Sequence, residues 1–203
     1  MNRLLLFAFF CLWLAALPAQ KPYNPAKTSA FTLALPKPSQ ADMPLVAVVD
    51  KRFDTSKIGF GQDGSKSKMI YLNGGTAAAV QQYINGNNVG GPPKLLVVLQ
   101  NLWLQEVKAG ELRDADEEFE RQNISQCIMR FDVYASENGY HRALVRIDTT
   151  IETRSYLKQA GGSLLADALD YAMEKITGLN VKDITAKKTP VRFDDLMRMY
   201  GQK

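Results

Sequence analysis

Three groups of residues in this chain carry side chains that chemistry could use. The first is Gly59 to Ser67, GFGQDGSKS, which has the glycines and the lysine–serine ending of a phosphate-binding loop. Such a loop needs lysine directly after its last glycine, where the ammonium reaches the phosphates. Here Ser65 holds that place and Lys66 comes one residue late. The KMIYL that follows does not open a helix whose N-terminus could receive an anion. Nucleotide binding is therefore not expected. The second group is Cys127 with His141, the only histidine in the chain. A thiol nucleophile needs a base within hydrogen-bond reach, so this pair is the one nucleophile the sequence offers. The third is Asp50, Arg52 and Asp54, clustered where an apolar run ends. Strand ends are where binding sites form in α/β folds, and these three are the candidate binding residues. The competing reading is a local ion pair that braces the turn.

Metal chemistry finds little support. One histidine, scattered cysteines and no paired carboxylates at helical spacing make no ligand set. The acidic stretch ELRDADEEFERQN, Glu111 to Asn123, has arginines interleaved and reads as a solvated connector. No cofactor and no metal are expected, and the protein reads as a non-enzyme.

The elements that must position these residues follow from periodicity. LVAVVD, Leu45 to Asp50, is β-branched and wholly apolar up to its aspartate, which predicts a central strand covered on both faces. A glycine-rich loop and a short MIYL strand come next. GGTAAAVQQYIN predicts a helix capped by Thr76, with Ala77, Val80 and Ile84 on one face. KLLVVLQNLWLQEV is a second long strand, buried at its start and more amphipathic later. FTLAL, Phe31 to Leu35, is a candidate edge strand within a lead-in punctuated by prolines.

The clearest signal is a hairpin. In ISQCIMRFDVYA the odd positions Cys127, Met129, Phe131, Val133 and Ala135 are apolar, and in HRALVRIDTTIET so are Ala143, Val145, Ile147 and Ile151. A two-residue turn at Asn138-Gly139 would set odd positions against even ones and expose one apolar row. A three-residue turn, Glu137-Asn138-Gly139, pairs Ser136 with Tyr140 and joins the odd rows, with Gly139 in the left-handed conformation. That register sets Cys127 against Thr149, His141 against Ala135 and Arg130 against Arg146, with Asp132 and Asp148 diagonal to the arginines. GGSLLADALDYAMEKITG then predicts the strongest helix, capped by Ser163 and ended by Gly178. TPVRFDDLMRMY predicts a short terminal helix with Phe193, Leu196, Met197 and Tyr200 on one face, which docks on the domain or, alternatively, offers a partner surface. The expected fold is α+β: an antiparallel or mixed sheet with a long central hairpin, two main helices on one face and a short C-terminal helix.

The chain opens MNRLLLFAFFCLWLAALPAQK, with Arg3 ahead of an apolar run from Leu4 to Ala16 and small residues before Gln20. This is the layout of a secretory signal. The run is shorter than the roughly 20 residues of a spanning helix, so cleavage after Ala19 and no lasting transmembrane anchor are expected. Cys11 follows Phe10, where a lipidation site needs a small residue. The expected organisation is a signal peptide over 1–19, a proline-rich extended lead-in over 20–43 and a single domain over 44–203. The formal charge of +4, one less without Arg3, comes from interspersed charges, so no nucleic-acid partner is expected.

The order of these elements resembles the YajG-type bacterial envelope lipoproteins. The residues that carry the resemblance are VAVVDKRFDTSKIG, with Asp50-Lys51-Arg52 closing the strand and Ile58-Gly59 following, then the long strand, the hairpin turning at Asn-Gly and the two last helices. That resemblance implies a small envelope domain, periplasmic or associated with the outer envelope of a bacterium. It implies no catalytic residues and a role in binding another envelope protein. The alternative class is a small-molecule or lipid-binding protein with a pocket between sheet and helices.

Overall fold

The computed structural model describes residues 30–36, 44–63, 66–86, 91–108 and 123–201. The leader with its cleavage site and the connector of residues 111–122 lie outside them. Among the described residues eight strands form one mixed sheet, β1 (Ala30–Leu33), β2 (Val46–Asp50), β3 (Gly59–Asp63), β4 (Lys66–Leu72), β5 (Leu95–Lys108), β6 (Asn123–Glu137), β7 (Tyr140–Thr153) and β8 (Val191–Arg192). The helices are α1 (Thr76–Asn85), α2 (Leu157–Thr177), α3 (Val181–Ala186) and α4 (Phe193–Gly201). Strand order is β1-β4-β3-β5-β6-β7-β8, with β2 also on β5. The fold is α+β, as the patterning indicates.

The sheet has two differently dressed faces. On one, α1 and α2 cover the large core of Val46, Ile70, Val97, Leu99, Leu102, Leu104, Met129, Phe131 and the inner residues of both helices. On the other, α4 lays Leu196 over Leu96 and Val98, with Ala47, Val49 and Met197 around them. Strand β5 explains its own composition. Its first half, Leu95 to Leu99, is buried on both faces because both are roofed. A register shift between Leu99 and Asn101 then carries Leu102 and Leu104 back to the α1/α2 face.

Strand β2 is not central. It pairs with β5 alone, Val46 opposite Leu95 through Asp50 opposite Leu99. Its other edge is satisfied by α1: Val46 N–H donates to Asn85 Oδ1 at 2.8 Å, Asn85 Nδ2 donates to Val46 O at 2.9 Å, and Val48 N–H donates to Gln81 Oε1 at 3.0 Å. Two amides one helical turn apart thus stand in for a neighbouring strand. Only Val46 is buried; Ala47 to Asp50 are half-buried, with Val48 packed toward the larger core and Ala47 and Val49 toward the smaller one.

Strand β3 follows β2 along the same flank of β5, with Gly59 opposite Leu104 and Phe60 opposite Gln105. Gly59–Asp63 of the glycine-rich segment is therefore strand, paired antiparallel with β4. The domain also begins earlier than Pro44, because β1 pairs in parallel with β4 from Ala30 to Leu33.

The hairpin corrects the sequence reading in an instructive way. Its turn has two residues, with Glu137 paired to Tyr140 and both Asn138 (φ 52°) and Gly139 (φ 78°) in the left-handed region. A bulge between Val133 and Tyr134 leaves Leu144 as the extra residue, so the odd rows share a face from Val133 and Val145 onward, whereas Ala143 lies opposite Tyr134 and is exposed. Beyond it Phe131 faces Ile147, Cys127 faces Ile151, Arg130 faces Asp148 and Asp132 faces Arg146. The charges pair directly and not diagonally. A Gly139→Val variant is expected to lose about 1 kcal/mol or more, since a β-branched residue resists that conformation. Chemical denaturation measures this, and an unchanged midpoint would refute it.

Helix α2 begins at Leu157, not at Ser163. Glu106 Oε1 accepts from Leu157 N–H at 2.7 Å and supplies the cap, while Ser163 Oγ donates back to Ala160 O. Gly161 and Gly162 lie inside the helix because β1 passes against it. A Cβ on Gly162 would stand 2.5 Å from Ala34 O. Likewise Gly75 caps α1, and the Thr76 hydroxyl serves another residue, Arg52.

Candidate recognition loop

Residues 51–58 link β2 to β3 along the flank of β5, and they hold all three acidic and basic candidates or adjoin them. Arg52 fills the notch between the two strand ends. Its side chain is only 4% exposed. Nε and Nη2 grip both oxygens of Asp50 at 2.9 and 2.7 Å. Nη1 donates to Lys57 O at 2.8 Å and Leu102 O at 3.3 Å, and Nη2 donates to Thr76 Oγ1 at 2.8 Å. The planar guanidinium suits this, since it offers five donors in fixed directions. It supplies ladder contacts that neither strand makes at the break, and it ties the loop to the start of α1. Asp50 and Arg52 are therefore a buried brace, the competing reading given above.

Asp54 differs. Its carboxylate accepts from Ser56 N–H at 2.9 Å, from the Ser56 hydroxyl and from the Lys57 ammonium. Lys57, with help from Ser56, holds the Asp54 carboxyl well below the usual carboxylate range. Lys57 Nζ also sits 5.5 Å over the Phe60 ring. Between the brace and this clasp stands Phe53, whose side chain is fully exposed. Sequence reasoning passed over it. A single aromatic in a charged stretch carries no periodic signal, and only the burial of Arg52 beside it shows which way it points.

The terminal helix is spoken for. Leu196 is 1% exposed, and Met197 and Tyr200 turn toward the sheet. Tyr200 donates to Asp132, whose carboxylate also receives Gln100 Nε2 and the paired Arg146 nitrogens at 2.7 and 3.0 Å. Tyr134 and Tyr200 hydroxyls lie 2.6 Å apart. Burial and these acceptors push the Tyr200 phenol above its ordinary range. Of the four residues proposed as a partner surface, Phe193 alone is exposed, and its ring leans on His141 at 5.7 Å. Asp132, which the sequence places only diagonal to an arginine, is thus the centre of the network that fastens α4.

Cys127 and His141 stay apart, at opposite ends of the β6–β7 ladder. Cys127 is fully buried, and burial pushes its thiol up to about 12. His141 bonds Ser136 Oγ through Nδ1 at 2.9 Å, and burial lowers its basicity. Among the described residues no group of three or more His, Cys, Asp and Glu side chains is placed to hold a metal ion. No described helix is long and apolar enough to cross a membrane. Comparison with protein-family models, curated proteins and solved structures gave no match.

Proposed function

We propose that this chain is an exported, non-catalytic envelope protein that acts as a binding or assembly module, and that the β2–β3 loop is its recognition element. The observation that carries this reading is Phe53: a fully exposed aromatic flanked by a residue buried in the sheet and a residue clasped within its own turn. Exposed aromatics cost free energy in water unless something covers them. Aromatic anchors also dominate the energetics of protein interfaces. A loop held on a rigid scaffold loses little entropy on binding. Asp50 and Arg52 then serve recognition by holding the loop, and Asp54 by shaping its turn. The secretory-signal layout of the leader supports export and, with it, a partner met outside the cytoplasm.

The experiment compares wild type with Phe53→Ala as bait in native envelope extracts. Wild type is expected to enrich one protein reproducibly, and the variant to lose most of it while melting at the wild-type temperature. Equal capture by both baits would refute the loop's role.

A further inference from the structure

The β1 end of the sheet is a short edge, but the other end is long. β8 pairs only with Tyr140 and His141. From Arg142 to Thr153 no strand among the described residues lies against the outer side of β7. Unmatched strand edges are templates for another strand, and proteins commonly guard them with charged side chains, prolines, bulges or a covering helix or loop; here α3 comes close to β7. This stretch holds no proline. Its bulge, at Leu144, lies toward the turn and leaves Val145 onward regular. Its charges have both signs.

We infer that the outer edge of β7 pairs antiparallel with β7 of a second copy of this chain, about a two-fold axis through Ile147. The charges select the register. Within one copy Arg130 Nε donates to Asp148 at 2.7 Å, and Arg146 grips Asp132. These rows sit on one face, and the outer side chains retain free surface, 61% for Arg146 and 48% for Asp148. Residues opposite one another in an antiparallel pair share a face. An axis through Ile147 therefore sets Arg146 beside Asp148 of the second copy, and Asp148 beside its Arg146. Each row then reads Asp132, Arg146, and Asp148 and Arg130 of the second copy, with signs alternating across the seam. Moving the axis to Arg146 or to Asp148 sets that residue against itself, which is unfavourable. Moving it to Thr149 pairs Arg146 with Glu152 but leaves Asp148 facing Thr150, and Glu152 already accepts from Gln126 at 2.6 Å. On the other face the Ile147 axis brings Ile147 to itself and Val145 to Thr149. An isologous contact of this kind closes as a dimer and leaves no further β7 edge.

Sedimentation of the purified protein tests the inference. Wild type is expected to dimerise with rising concentration, less readily at high salt because the paired charges are partly exposed. Asp148→Arg puts arginine against arginine across the axis, and Arg146→Asp puts aspartate against aspartate. Each alone should weaken self-association on the order of tenfold or more. Mixed, the two variants regain both complementary rows and should form a heterodimer. A wild type that stays monomeric at every concentration, or a dimer that either reversal leaves intact, overturns the inference. Arg146 also holds Asp132, so its variant needs a melting curve beside it. Amide exchange in the wild type needs no variant. Protection across residues 145–149 should rise with concentration, and unchanged exchange there also overturns the inference.

Discussion

Replacing Gly59 with alanine is expected to cost about 3 kcal/mol or more and to leave little folded protein. Gly59 enters the flank of β5 with φ 150°. A Cβ there would fall 1.9 Å from Leu104 O, with Leu104 C and N at 2.7 and 2.8 Å. Backbone atoms cannot swing aside as a side-chain tip can. Leu104 N–H is also committed to Ile58 O at 2.7 Å, and Ile58 N–H to Ile70 O at 2.9 Å. Relief would require β3 to leave β5 and carry β4 and β1 with it. Denaturant titration of Gly59→Ala measures the loss. A midpoint equal to wild type would show that the approach is looser than described.

The second large effect is at Arg52. Arg52→Ala should destabilise by about 3–5 kcal/mol, the usual consequence of stranding one partner of a buried ion pair. The Asp50 carboxylate keeps its burial, its side chain 13% exposed, and loses its counter-charge. Leu102 O, Lys57 O and Thr76 Oγ1 each lose a donor at the same time. The double variant Asp50→Leu/Arg52→Met should recover a substantial part, because an apolar pair of similar volume avoids the stranded charge. A double-mutant cycle gives the coupling directly. If Arg52→Ala alone is nearly neutral, the guanidinium is a passenger and the loop is held by other contacts.

The sequence and the structure agree where a rule depends on one segment's own pattern. The alternation from Cys127 to Val133 and from Val145 to Ile151 matches one face of the hairpin, but Ala143, beyond the bulge, falls opposite Tyr134 on the other. Parity alone, however, requires one extra residue somewhere and does not say where. The turn was the natural place for it, and the bulge at Leu144 is the actual one. Glycine misled for a related reason. Gly59, Gly161 and Gly162 look like punctuation in a linear reading, yet each leaves space that another segment occupies: the Leu104 backbone for the first, the Leu33 side chain for the second and the Ala34 carbonyl for the third. That space is defined by partners far away in sequence. Arg52 shows the same limit for charge. An arginine at a strand end reads as a binding residue or a local ion pair, and its burial in the break between β2 and β3 appears only in the fold. Of the three residues the sequence singles out, Asp50 and Arg52 form a brace and Asp54 a clasp with Ser56 and Lys57, and the exposed Phe53 between them carries no signal in the sequence.

The manner in which β2 and β3 share one flank of β5 bears on the order of assembly. A chain synthesised or threaded from its N-terminus presents β1 and β2 before the strands that will receive them exist. The β3–β4 ribbon can form early, but it has nothing to lean on until residue 104 arrives. By contrast β5, β6 and β7 form an antiparallel run joined in sequence order, and β6 and β7 meet across a two-residue turn, so their contacts close comparatively short loops. Non-local pairings must meet the entropy of loop closure before their contacts repay it. The late-made half of the chain is thus the natural seed. The early-made half waits, with the apolar Leu45 to Val49 exposed, until β5 offers its flank. A holding factor that keeps the N-terminal strands unpaired would suit such a topology, whichever compartment the chain folds in.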